Sequence, residues 1–104
     1  MHTAIAEKRD SLMDLCRRHG VARLEVFGSA ARGGDFDPAA SDVDFLVEFR
    51  PQRSDLASFF DFKAALEALL ARPVDLVDRK EIEASGNYIR RRGILAGAES
   101  VYAA

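Results

Sequence analysis

Val26-Phe27-Gly28-Ser29, a polar segment, and then Ser41-Asp42-Val43-Asp44-Phe45-Leu46-Val47-Glu48-Phe49 is the stretch that decides the fold. An apolar run ends in Gly-Ser. A loop of Gly, Asp, Ala and Pro follows, and a second apolar run opens with two aspartates one residue apart. Val43, Phe45, Val47 and Phe49 fall on one side at period two, and Asp42, Asp44, Leu46 and Glu48 on the other. Val and Phe suit a pleated strand. The carboxylates of Asp42 and Asp44 then point the same way, about 6–7 Å apart, from the ~3.3 Å rise per residue.

At an effective dielectric near 20 and a separation of ~6 Å, such charges repel by roughly 3 kcal/mol. That is a large part of the ~5–15 kcal/mol that holds a small domain together. Either one proton is retained or a cation sits between the acids, and hard divalent ions such as Mg²⁺ prefer carboxylate oxygens. Taken alone, the pair reads first as solvated acids at a strand start. Gly28 can take φ > 0 and lets another group approach the backbone. Ser29 offers a hydroxyl and an N–H. A short helix opening at Ser29 through Ala30-Ala31-Arg32 would present free N–H groups to a phosphate, with Arg32 adding a charge-assisted contact. Taken alone, Gly28-Ser29 is an ordinary turn. Asp35 and Asp37 read as solvated loop acids, because their Gly and Pro neighbours position them poorly.

Outward from this stretch, Thr3 to His19 reads as one amphipathic helix with Ile5, Leu12, Met13, Leu15 and Cys16 as its apolar stripe. Gly20 stops it. Cys16 reads as a small core residue, and His19 as a surface residue favoured by the helix dipole. Val21 to Phe27 is the first strand, which delivers Gly28-Ser29 beside the start of the second. The two are expected to be antiparallel neighbours joined by the long loop. Ser54 is the expected cap of a helix reaching about Ala71, with Asp55 in its first turn. Its expected apolar face is Leu56, Phe59, Phe60, Leu66, Leu69 and Leu70, with Lys63 at the margin. The Phe59-Phe60 pair is assigned to the core. Arg72-Pro73 ends the helix.

Val74 to Val77 reads as a short central strand. Asp75, between Val74 and Leu76, reads equally as an edge acid facing water or as a carboxylate whose burial a neighbouring cation offsets. Glu81 to about Ala96 has helical character, weakened by Gly86 and Gly93, with Ile82, Ile89 and Leu95 turned inward. Arg90-Arg91-Arg92 reads first as a solvated helix face and second as a group reaching a triphosphate or an acidic partner. Val101-Tyr102 is expected to be a last extended piece.

The chain of 104 residues is 48% hydrophobic with a formal charge of −2 and a pI near 5.6, which points to a single globular domain over 1–104. A mildly acidic balance argues against bulk binding of nucleic acid. One cysteine excludes an internal disulfide and suggests a reducing cytoplasm. No run is long and apolar enough to imply a membrane partner.

Gly28-Ser29-Ala30-Ala31-Arg32-Gly33, a loop, and Asp42-Val43-Asp44 together resemble the signature of the DNA polymerase beta superfamily of nucleotidyltransferases. The match is to its minimal, single-domain branch. The loop from Ala30 to Ser41 is long for that branch, with residues 34–38 as the extra material. The superfamily carries a third acid on a later strand, and Pro73-Val74-Asp75-Leu76-Val77 supplies it. The resemblance implies an α+β fold, a small mixed or antiparallel sheet of three to four strands with helices packed on one face.

It further implies two Mg²⁺ ions held by Asp42, Asp44 and Asp75. Gly28, Ser29 and Arg32 would hold the phosphates of ATP as substrate, and Asp75 would accept the acceptor's proton. The implied reaction transfers a nucleoside monophosphate, expected to be AMP, to a hydroxyl. The implied partner is a small helical ribonuclease toxin of the HEPN type, with this chain as its antitoxin and a toxin hydroxyl as acceptor. The alternative is a non-catalytic antitoxin that neutralises its partner by complex formation.

Overall fold

A computed structural model describes residues 3–28, 42–84 and 86–104. β1 (Val21–Phe27) and β2 (Val43–Phe49) pair antiparallel, with Val26 opposite Phe45 and Phe27 opposite Asp44. β3 (Val74–Asp78) lies parallel to β2, and β4 (Glu99–Ala103) antiparallel to β1. The sheet order is therefore β3-β2-β1-β4. The expected α+β fold with a mixed sheet of up to four strands is what forms, and Val101-Tyr102 does lie in an extended element.

β3 is an edge strand and not the central one expected. β4 takes the free side of β1, so the chain returning from β2 can add only to the outer side of β2. β2, held between two strands, is buried on both faces. Val43, Phe45, Val47 and Phe49 lie on one face and Leu46 on the other.

The N-terminal helix is split into α1 (Thr3–Ala6) and α2 (Arg9–Arg18). Lys8 N–H donates to the carbonyl of Ile5 at 3.0 Å, a tight i→i−3 turn, before Leu12 N–H restores the helical ladder on Lys8. The turn leaves Ile5 in the same core as Leu12, Leu15 and Cys16, while Met13 is only half-buried. α2 stops where expected, with Gly20 at φ +70 just beyond it.

α3 (Leu56–Leu70) is capped by Asp55 and not by Ser54, because the extended Asp55 places its carboxylate to accept from Ser58 N–H at 2.7 Å. Its buried face is Phe62, Leu66 and Leu70, flanked by Phe59, Ala65 and Leu69. Phe62 meets Phe49 edge-on at 5.9 Å between centroids. The expected face was rotated from this one. Leu56 is 71% exposed and Phe60 55%, so only Phe59 of the Phe59-Phe60 pair approaches the core. Ala71 takes a left-handed conformation and closes the helix before Arg72-Pro73. The Glu67 carboxylate then accepts from Val74 N–H at 3.0 Å and ties the start of β3 to α3.

The tail forms two helices where one was expected, α4 (Arg79–Glu83) and α5 (Tyr88–Gly97), with the break around Gly86. Asp78 caps α4 by accepting from Lys80 N–H at 2.8 Å. Arg79 crosses to the Glu25 carboxylate of β1 and also pairs with Glu83 at 2.9 Å. Ile82 is buried and Leu95 half-buried, whereas the side chains of Ile89, Arg90 and Arg91 lie outside the described residues. Arg92 is exposed, as a solvated helix face requires.

An added Cβ at Gly93 would meet nothing within 4 Å. Gly93→Ala in α5 is expected to raise stability by about 0.5–1 kcal/mol, from the entropy glycine loses on entering a helix. Urea unfolding with an unchanged slope would show it. No helix of the described residues is long and apolar enough to cross a membrane.

Candidate active site

The site residues gather at the rim where β1 ends and β2 begins. Antiparallel pairing sets Phe27 against Asp44, so Gly28 follows directly beside that carboxylate. Parallel pairing sets Asp75 against Asp44 in the neighbouring strand. Adjacent strands run about 4.8 Å apart, and paired residues share a face. Asp42 lies just before β2 and, two residues from Asp44, shares that face too. Three acids remote in sequence or separated by a strand register are thus brought to one rim. Asp42 and Asp75 are exposed and Asp44 is half-buried. Asp75 stands on an edge strand and is exposed, so no burial of its charge needs to be offset.

Gly28 has φ +70, and a Cβ there would stand 2.4 Å from Oδ2 of Asp44. The expectation that some group approaches this backbone closely is met, and the group is the Asp44 carboxylate. Ser29 and Arg32, expected at the phosphates, lie outside the described residues, as do Asp35 and Asp37.

The donor set suits Mg²⁺, since all three acids offer hard carboxylate oxygens. The bare-glycine cradle leaves room for the Asp44 carboxylate at the rim. Among the described residues, no three His, Cys, Asp or Glu side chains already converge as a metal shell. What the fold supplies is the placement of the donors on adjacent strands.

Other reactive groups are accounted for by packing. Burial pushes the Cys16 thiol up to about 12, so it stays protonated at neutral pH and is no nucleophile. His19, expected at the surface, is half-buried. Its ring packs on Phe62 at 5.5 Å between centroids. Burial, then the Arg18 and Arg53 charges, hold its pKa below the usual value. The Arg79–Glu25 pair had no sequence signal, because 54 residues separate its members.

Residues 9–94 match the family described as a nucleotidyltransferase domain. A protein adenylyltransferase, MntA, of Thermococcus cleftensis is 41% identical over 70 residues, which is 67% of this chain and 68% of that one. The solved structure of a provisionally named minimal nucleotidyltransferase superposes with a TM-score of 0.73 at 35% identity, covering 95% of each chain. A chain in the structure of the tri-AMPylated HEPN toxin of Shewanella oneidensis with MNT antitoxin superposes with a TM-score of 0.63 at 17% identity. It covers 95% of this chain and 72% of that one, and shows a shared fold.

Proposed function

The chain belongs to the nucleotidyltransferase domain family, and on that premise we propose that it transfers AMP from ATP to a hydroxyl of a HEPN-type ribonuclease toxin, as the antitoxin of that pair. The observation that carries the reading is the register that aligns Asp44 with Asp75 across β2 and β3, with Gly28 under Asp44. A protein adenylyltransferase relative and a structural neighbour solved with a HEPN toxin support this choice of partner.

Asp42, Asp44 and Asp75 would hold two Mg²⁺ ions. When bound, these supply charge neutralisation for the triphosphate and a lowered pKa for the acceptor hydroxyl. The remaining work falls to the chain. Gly28 and Ser29 bind the β- and γ-phosphates, and Arg32 adds a fixed positive charge there. The acceptor oxygen attacks the α-phosphorus in line. A phosphorus–oxygen bond forms to the acceptor, the bond to the bridging oxygen breaks, and pyrophosphate leaves with the electron pair. Asp75, exposed at the rim, takes the proton of the hydroxyl.

The test is thermal melting with and without Mg²⁺ and ATP, on this chain and on Asp42→Asn. At 100 times Kd, a ligand of the folded state alone adds about 2.7 kcal/mol. The wild type is expected to gain a melting shift of that order and the variant none. The unliganded variant is expected to melt no lower than the wild type, because a like-charge repulsion is gone. Transfer of label from α-labelled ATP to the toxin by Asp42→Asn would overturn the catalytic assignment. If that variant still protects against the toxin without transferring AMP, neutralisation works by complex formation, a reading that exposed Leu56 and Phe60 favour.

A further inference from the structure

A groove of about 740 Å³ opens between the N-terminal turn of α3, the end of β3 and α4. Leu56, Phe59, Leu76 and Ile82 supply its apolar walls. Asp55, Asp78 and Glu81 stand along it, and no lysine or arginine lines it among the described residues. Arg53 donates to the Arg18 carbonyl at 3.3 Å, and Arg79 is held by Glu25 and Glu83. The Ser58 N–H, and after it the Arg53 charge, hold the Asp55 carboxyl below its usual range.

The apolar surface continues from the groove along α3. Leu56, Phe60, Ala64 and Ala68 recur every four residues, and all are exposed. Phe62, Leu66 and Leu70 fill the opposite, buried face of the same helix. A helix apolar on both faces is one that packing covers on both, and contiguous exposed apolar surface marks an interaction site.

We propose that this groove and the outer face of α3 dock an amphipathic segment of a partner protein, its apolar side chains against Leu56, Phe59 and Phe60 and its lysines or arginines against Asp55, Asp78 and Glu81. Charge selects this occupant, because three acidic residues and no lysine or arginine line the groove among the described residues, and an acidic segment would meet like charge there. The groove ends at Asp78, three residues along β3 from Asp75, about 10 Å at strand rise. A partner docked there sits at the far end of β3 from the rim, a span that about three extended residues cover. The proposal rests on the proposed function only in taking that partner to be the acceptor.

The test uses two synthetic amphipathic helical peptides, one of leucine and lysine and one of leucine and glutamate, titrated into the isotopically labelled protein. The Leu/Lys peptide is expected to shift the amide resonances of residues 54–60 and 76–82, and the Leu/Glu peptide is not. Glu81→Gln and Leu56→Gln, which leave both capping aspartates and the rim in place, are each expected to weaken binding roughly tenfold, the size of one lost anchor. Both variants should keep the wild-type melting shift with Mg²⁺ and ATP, so failure of the groove and failure of the active site are told apart. Equal binding of the Leu/Glu peptide, shifts that map elsewhere, or unchanged affinity in both variants overturns the proposal. Concentration-dependent shifts at the groove without peptide would show a second copy of the chain as occupant, which also overturns it.

Discussion

Gly28→Ala is expected to lower nucleotidyl transfer by about a hundredfold, the scale on which a 1 Å misplacement of a reacting group acts. Two separate costs meet at this residue. The backbone sits at φ +70, where an L-residue with a Cβ is strained by roughly 1–2 kcal/mol. The new methyl carbon would also stand 2.4 Å from Oδ2 of Asp44, a distance no real contact tolerates. The methyl belongs to the backbone and cannot yield, so the carboxylate must rotate away or β2 must shift against β1. Either movement displaces Asp44 relative to Asp75, its partner in register.

A double-mutant cycle with Asp44→Ala separates the two costs. Gly28→Ala in that background should retain the backbone strain and lose the collision, so its melting penalty should shrink. A penalty that is the same in both backgrounds would mean that Asp44 and Gly28 do not interact. Label transfer from α-labelled ATP checks the activity.

Phe62→Ala is expected to cost about 3–5 kcal/mol, the range for truncating a buried phenylalanine. Phe62 is fully buried, meets Phe49 of β2 edge-on and supports the His19 ring. It therefore joins α3 to the central strand and to the end of α2. Against a total of roughly 5–15 kcal/mol, the variant is expected to be marginal at physiological temperature. Phe60→Ala, two residues away on the exposed side, is expected to change stability by less than about 0.5 kcal/mol. Chemical denaturation of both variants measures the difference. Equal losses would refute the observed orientation of α3.

That orientation was beyond reach of the sequence. Leu56, Phe59, Phe60, Phe62, Leu66, Leu69 and Leu70 crowd nearly every side of the helix, so no period selects the inner one. β2 was legible because Val43, Phe45, Val47 and Phe49 recur at period two, and a slip by one residue would turn all four away from the main core. Asp75 shows the same limit. A run of Val74 to Val77 reads alike for a central strand and for an edge strand covered on one face, and only the order of the sheet separates the two. The candidate ligands themselves were legible, since Asp42 and Asp44 share a strand face by alternation alone. Their meeting with Asp75 and Gly28 was not.

What the sequence determined by itself is local. It contains the antiparallel pair from Val21 to Phe49, a glycine that allows close approach, the acids at the head of β2 and the family they resemble. Alternation and backbone sterics act between neighbours, so they can be read in order along the chain. Only the tertiary structure decided that β3 is an edge, that Asp44 is the group Gly28 must admit, that Phe62 and not Phe60 fills the core, and that Arg79 meets Glu25. Each of these joins segments far apart in the chain, and the free energy that selects among such pairings belongs to the packed whole.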